Sequence, residues 1–285
     1  MKENRKKITL KKLFRMKARS EKIVWVVLYD WPTARLADQA GVDMVLIGDS
    51  VAMTMLGLPN TLPITMNVML HHAQAVVRGV AGAYIVGDMP FLSYVTPEDA
   101  VKNAGAFIRV GCDAVKLEGG AAVASLVRKI TDSGISVIGH LGLTPQSVSR
   151  LGGYHIQGYD AQSAHTIIND ALVLEEAGAV GVLLENVPVE VAELVTKKTS
   201  FLTFSIGGGP STDGQLLLSH DILGFTLGLK PKFAKTYTHV AEQIQLAFQQ
   251  YSREVKEHQY PSDEYVIHME KSEIQKLLRN LESSN

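Results

Sequence analysis

Acidic side chains in this sequence stand directly after short apolar runs: Asp30, Asp49, Asp88, Glu118 and Glu185 each do so, and His140 follows Val137-Ile138-Gly139 in the same way. Carboxylates converging from neighbouring strand ends make an oxygen-only cluster suited to Mg2+ or another hard cation, and Asp49, Asp88 and Glu118 lie on successive runs. A single Asp at such a point is more ordinarily a helix N-cap or a turn residue. Lys116 and Glu118 are two residues apart on one run and share a side of it. There the lysine binds a carboxylate, polarises a carbonyl or forms a Schiff base, or else pairs with the glutamate as a salt bridge. Glu185 suits a general base or acid, or the anchoring of a loop. Nine His without HExxH or a His/Cys grouping carry no zinc pattern. The single Cys112, opening an apolar run, reads as a buried thiol.

The elements that must carry these groups follow a repeated rhythm of helix, Gly, apolar run and polar residue. Ala40-Gly41, Val110-Gly111, Ser133-Gly134 and Ala177-Gly178 each precede such a run. Gly past a helix end supplies a left-handed residue, and a β-branched run buried on both faces is a parallel strand. Eight strands are expected, at 23–29, 43–48, 83–87, 113–117, 135–139, 179–184, 201–206 and 222–227. Helices are expected at 67–79, 97–110, 121–132, 161–177, 188–198, 212–219 and 238–257, the second capped by Thr96 with Pro97 at its first position and Asp99 two further on. Eight strands alternating with helices predict an α/β fold, a single (β/α)8 TIM barrel, in which the polar strand ends rise on one rim. No GxGxxG follows the first strand and no Walker sequence occurs, which disfavours an open nucleotide-binding sheet. Gly207-Gly208-Gly209, after the seventh strand, either cradles phosphate through backbone N–H groups or permits a tight turn.

The 285 residues are 46% hydrophobic and 20% charged, the composition of a globular chain with a sizeable core. Net charge is −1, yet residues 1–22 hold ten Lys/Arg against two Asp/Glu, leaving 18 against 27 elsewhere. The spacing of Leu10, Leu13, Phe14 and Met16 makes this basic segment a short amphipathic helix, expected to cap the lower end of the barrel rather than to bind nucleic acid or membrane. No apolar run approaches the roughly 18 residues that span a bilayer, so a cytoplasmic protein is expected. The expected organisation is a basic helical segment over 1–22, a catalytic barrel over 23–260 and a charged tail over 261–285.

These residues resemble the ketopantoate hydroxymethyltransferase family over about 23–260. The matching stretches include Ile47-Gly48-Asp49-Ser50, Gly87-Asp88-Met89-Pro90-Phe91, Val115-Lys116-Leu117-Glu118-Gly119-Gly120, Leu184-Glu185-Asn186-Val187-Pro188 and, most distinctively, the GHLGLTPQS run from Gly139 to Ser147. The resemblance implies a barrel of the phosphoenolpyruvate mutase/isocitrate lyase kind that transfers a one-carbon unit from 5,10-methylenetetrahydrofolate to 3-methyl-2-oxobutanoate with Mg2+. It further implies that Asp49, Asp88 and Glu118 hold the metal directly or through water, and that Asp49, Ser50, Asp88 and Lys116 contact the oxo acid. Glu185 is then the proton acceptor, His140 a supporting hydrogen-bonding group, and the assembly a homo-oligomer such as a decamer. Val27 and Leu28 depart from the family's usual strand ending, and His155, Ser205 and Gly208 depart elsewhere. They leave room for a paralogous lyase or aldolase acting on another 2-oxo acid, or a catalytically silent binding paralogue. Lyases of this kind generally rely on a catalytic Cys loop, whereas Cys112 opens strand four.

Overall fold

In the computed structural model, residues 5–228 and 230–283 are described. Residues 1–4 of the expected basic segment and 284–285 of the tail lie outside them. The chain divides after Thr238 into two units.

The first unit is a closed barrel of eight parallel strands in sequential order. Its strands are β1 Ile23–Val27, β2 Met44–Ile47, β3 Tyr84–Asp88, β4 Ala114–Glu118, β5 Ser136–Gly142, β6 Gly181–Glu185, β7 Leu202–Ile206 and β8 Gly214–Leu218. The helices, in chain order, are α1 Leu10–Ala18, α2 Trp31–Gln39, the short α3 Val51–Thr54, α4 Met66–Gly79, α5 Pro97–Val110 and α6 Ala124–Asp132. The short α7 Val148–Leu151, α8 Ala161–Glu176, α9 Val189–Lys198 and the short α10 Ser219–Leu223 complete the unit. Strands β2, β3, β4 and β7 are buried along their whole length, as strands flanked by a filled lumen on one side and helices on the other must be. Trp25 of β1 and Phe204 of β7 meet edge-on at 4.8 Å within this core.

Local signals start the helices. Thr9, Asp30, Thr65, Thr96 and Asp160 each accept a backbone N–H in the first turn of α1, α2, α4, α5 and α8, satisfying donors that a helix start otherwise strands. Asp30 thus takes the ordinary capping role, accepting Thr33 N at 2.9 Å. At Thr96 the cap forms, with Asp99 N donating to Thr96 Oγ1 at 3.1 Å, but the reciprocal half of the expected box does not: Asp99 Oδ2 accepts the Thr96 hydroxyl at 2.8 Å in place of the Thr96 backbone N–H.

The eighth strand corrects the sequence reading. It lies at 214–218, where a helix over 212–219 was expected, and 222–227 is no strand: α10 ends there at Gly224 and irregular chain follows. Asp213 does not start a helix. Its Oδ2 accepts Thr203 N at 2.8 Å, Thr203 Oγ1 at 3.0 Å and Lys17 Nζ at 2.9 Å, tying the chain to the foot of β7. Gly214 then pairs with Ile23 and Phe204, so the next residues fill the gap between β1 and β7. The Gly207–Gly209 run is the tight turn between β7 and β8, closed by Ser205 Oγ donating to Gly209 O at 2.9 Å.

The basic N-terminal segment is spent on the underside of the barrel. Arg5 pairs with Asp38 at 3.3 Å, Lys7 with Asp113 at 2.7 Å and Lys17 with Asp213 at 2.9 Å, while Leu13 and Met16 of α1 are buried in the core. Part of the segment's charge is therefore used in pairing across a packing surface.

The second unit runs from His239 onward and contains α11 Val240–Lys256 and α12 Lys271–Glu282. Neither helix has a buried residue, although Leu246, Phe248, Ile274, Leu277 and Leu281 are among its side chains. The helix expected at 238–257 therefore groups with the tail, and the first unit closes at Thr238 rather than at 260. No helix among the described residues is long and apolar enough to cross a membrane.

Candidate active site

At the C-terminal rim, β3 ends in Asp88, β4 carries Lys116 and ends in Glu118, β5 carries His140 and β6 ends in Glu185. Asp49 and Ser50 follow β2 and lead into α3. The strand register puts Asp88 beside Lys116 and Glu118 beside His140. The fold brings all seven sequence-identified residues to this rim.

Lys116 is the hub. Its Nζ lies 3.0 Å from Asp88 Oδ1, 3.1 Å from His140 Nδ1 and 3.7 Å from Glu118 Oε1. Asp88 Oδ2 accepts the Asp49 backbone N–H at 3.0 Å, which links the ends of β2 and β3. Asp88 Oδ1 has no aligned hydrogen-bond donor despite its closeness to the ammonium, leaving a buried oxygen with unused acceptor capacity. Glu118 Oε1 lies 3.1 Å from His140 Nδ1 and its Oε2 accepts Gln146 N at 3.0 Å.

His140 Nδ1 cannot accept from Lys116 and donate to Glu118 at the same time, because a neutral imidazole carries one ring proton. Accepting from Lys116 leaves the proton on Nε2, which lies 3.2 Å from Glu185 Oε2, close but not aligned as a hydrogen bond. Burial, aided by the charge of Lys116, lowers the His140 pKa and keeps the ring neutral. The Glu185 side chain, 19% exposed against 2% for His140, is the open edge of the group.

The electrostatics favour a further positive charge. Burial raises the pKa of Asp49, Asp88 and Glu118, with Lys116 opposing the rise at each. Burial also works against the charge of Lys116, but Asp88, Glu118 and Asp49 outweigh it and hold the ammonium above its ordinary range. Three buried carboxylates thus share one buried ammonium. No set of three His, Cys, Asp or Glu among the described residues converges as a ready-made metal cage. Mg2+ does not ask for one: it is ordinarily held by one or two carboxylates, with water and substrate oxygens completing the octahedron. Adjacent Asp49 and Asp88, all oxygen donors, with Asp88 Oδ1 held by the Lys116 ion pair alone and no aligned hydrogen bond, fit that pattern, and Glu118, already engaged by His140 and Gln146, fits a contact through water.

Sequence reasoning missed Gln146 and Tyr94. Gln146 Nε2 donates to Asp49 Oδ2 at 2.9 Å and to Met89 O at 3.0 Å, and its Oε1 accepts Tyr94 OH at 2.6 Å. The amide therefore joins the ends of β2 and β3, and the Gln146 backbone N–H ties them to Glu118 at the end of β4. Its only sequence signal was its place in the GHLGLTPQS run. Of the departures, Val27 and Leu28 are core residues, Ser205 closes the turn to Gly209, and exposed His155 lies 3.2 Å from Gly152 O. Cys112 is buried ahead of β4, where burial and then the charge of Asp113 push its thiol up to about 12.

Residues 7–263 match the family model described as ketopantoate hydroxymethyltransferase. The chain is 48% identical over 266 residues to the 3-methyl-2-oxobutanoate hydroxymethyltransferase of Alkaliphilus metalliredigens, covering 93% of this chain and 94% of that protein. It is 46% identical over 249 residues to the enzyme of the same name from Thermus thermophilus, covering 87% and 95%. Among solved structures, it is similar in fold to a phosphonopyruvate hydrolase in complex with oxalate and Mg2+, at TM-score 0.60 and 12% identity over 97% of each chain. A 2,3-dimethylmalate lyase of the PEP mutase/isocitrate lyase superfamily matches at TM-score 0.59 and 16% identity over 96% of each chain.

Proposed function

The chain belongs to the ketopantoate hydroxymethyltransferase family, and on that premise we propose that it moves a one-carbon unit from 5,10-methylenetetrahydrofolate to 3-methyl-2-oxobutanoate, giving 2-dehydropantoate, with Mg2+ as its cation. In this reading Asp49 and Asp88 hold the cation and Glu118 reaches it directly or through water. When bound, Mg2+ withdraws electron density from the keto group and so acidifies the neighbouring C3–H bond. Asp49, Ser50, Asp88 and Lys116 orient the oxo acid, with the lysine balancing its negative charge. Glu185, the carboxylate at the open edge, takes the C3 proton. His140, beside it, steadies that carboxylate through Nε2. The carbon left at C3 bonds to the methylene carbon of the folate as both C–N bonds of that carbon break: water supplies the hydroxyl group of the product, and the remaining water proton with the C3 proton goes to the two nitrogens of the departing tetrahydrofolate.

The observation that carries this reading is the meeting of Asp88 and Glu118 at Lys116, with Asp49 joined to Asp88 through its backbone N–H and Glu185 one imidazole away. Two carboxylates with spare acceptor capacity suit a hard cation, and a half-open carboxylate suits a base that must meet substrate. A phosphonopyruvate hydrolase of similar fold is known in complex with oxalate and Mg2+. The unburied apolar residues of α11 and α12 support a homo-oligomer.

The test is product formation by the purified protein given Mg2+, 3-methyl-2-oxobutanoate and methylenetetrahydrofolate. Mass spectrometry is expected to show the oxo acid gaining CH2O. Turnover of a different 2-oxo acid, with none of this one, overturns the substrate assignment.

A further inference from the structure

Behind Ser50 lies an aromatic stack that the chemistry above does not use. Tyr29, two residues past the end of β1, is wholly buried, and its hydroxyl lies 2.8 Å from Ser50 Oγ. On its far side the His220 ring meets Tyr29 edge-on, 5.2 Å between centroids at 63°. His220 in turn stacks on Phe225 at 5.1 Å and 13°. His220 is buried in α10, directly after β8, so the stack bridges the adjoining ends of β8, β1 and β2. Its Nε2 is buried without a hydrogen-bond partner, a costly arrangement that calls for a reason. Burial lowers the His220 pKa, so the ring stays neutral and packs as an aromatic slab. The backbone of Tyr29 is pinned as well, its carbonyl 2.7 Å from His72 Nδ1.

Either hydroxyl of this pair can be the donor, and a Tyr29 that donates leaves Ser50 able to donate onward, because a Ser hydroxyl that accepts one hydrogen bond still has its own proton to give. We propose that Tyr29 and His220 are positioning residues for the oxo acid: His220 fixes the Tyr29 ring, Tyr29 donates to Ser50 Oγ, and Ser50 thereby presents its own hydrogen to the carboxylate of the bound 2-oxo acid. The inference rests on the reading above in which Ser50 contacts that substrate.

The test is steady-state kinetics on the full-length enzyme with Tyr29→Phe, Ser50→Ala, the double variant, His220→Ala and His220→Phe. Tyr29→Phe is expected to raise KM for 3-methyl-2-oxobutanoate roughly three- to tenfold, the worth of one neutral hydrogen bond, while KM for the folate holds. The double variant is expected to be no worse than Ser50→Ala. His220→Ala is expected to reproduce the Tyr29→Phe effect, and His220→Phe, which keeps a ring between Tyr29 and Phe225, to show a smaller one. Additive effects of Tyr29→Phe and Ser50→Ala overturn the proposal while leaving the role of Ser50 intact. A Ser50→Ala enzyme with unchanged KM for the oxo acid overturns both. Equal damage from His220→Phe and His220→Ala removes His220 from the bracing role.

Discussion

Lys116 Nζ and Asp88 Oδ1 stand 3.0 Å apart at the barrel rim, with the lysine side chain 3% and the aspartate 1% exposed. Both charges have been taken out of water, and the cost is offset only while each has the other. Lys116→Met is expected to lose about 3–5 kcal/mol of stability, the usual penalty for removing one partner of a buried pair. The loss should depend on pH. Lys116 holds down the pKa values of Asp49, Asp88 and Glu118, so in the variant these carboxyls rise further above their unfolded values. A carboxyl raised on folding binds more protons native than unfolded, and stability then falls as pH rises. Urea unfolding at pH 5 and pH 8 is expected to show the larger deficit at pH 8; equal deficits would mean that Lys116 does not carry the charge balance.

Glu185 is held in place by a neighbour with no side chain. Gly142, at the end of β5, has φ +87°, and a Cβ there would run into the carbonyl oxygen of Glu185. Gly142→Ala is expected to displace the end of β6 and to lower kcat at least tenfold, since displacements of about 1 Å at reacting groups cost up to 100-fold. Gly134→Ala is the control: φ there is +84° with nothing within 4 Å of the added carbon. It should cost about 1–2 kcal/mol of backbone strain and spare turnover. Equal kcat in the two variants would detach Gly142 from the site.

Seven strands and the rim acids were legible because a Gly-terminated helix followed by a β-branched run leaves little choice of structure. Runs such as Val180 to Leu184 and Ala114 to Leu117 were found within a residue or two of their observed bounds. β8 was not legible. Gly214-Gln215-Leu216-Leu217-Leu218 has no β-branched residue and follows Thr212-Asp213, so locally it looks like a capped helix, and only pairing with β1 and β7 makes it a strand. Shifting that strand hid the true rim behind it, where Ser219, His220 and Asp221 lie buried. Gln146 and Tyr94 were hidden for a different reason: their partners are Asp49, Met89 and Glu118, brought near by barrel closure and by no local spacing.

Cys112 is expected to be inert in the native protein. Its thiol is buried and pushed up to about 12, so the thiolate that reacts is scarce at neutral pH. A colorimetric disulfide reagent at pH 8 should label it only as fast as the protein opens, and at once in urea. Immediate native labelling would contradict the buried setting.

Glu175, near the end of α8, anchors the approach to β7. Partial burial opposes its ionisation, but the Ser200 hydroxyl and the Ser200 and Phe201 N–H groups donate to Oε1 and hold its pKa below the ordinary value. A carboxyl depressed on folding stabilises above its unfolded pKa of about 4.3 and loses that contribution as pH falls through the folded value. Wild type is therefore expected to melt above Glu175→Gln at pH 7, with the gap closing as pH drops below about 4. A gap independent of pH would assign the difference to packing.

In the proposed reaction the rim carboxylates and Lys116 ready a 2-oxo acid for loss of its C3 proton to Glu185, before any one-carbon donor takes part. Proton NMR of 3-methyl-2-oxobutanoate in D2O, with enzyme and Mg2+ and no folate, reads that step alone. The C3 hydrogen is expected to wash out with wild type and to persist with Glu185→Gln, which should still bind the oxo acid. Retention of the hydrogen with wild type, or equal washout with Glu185→Gln, would contradict it.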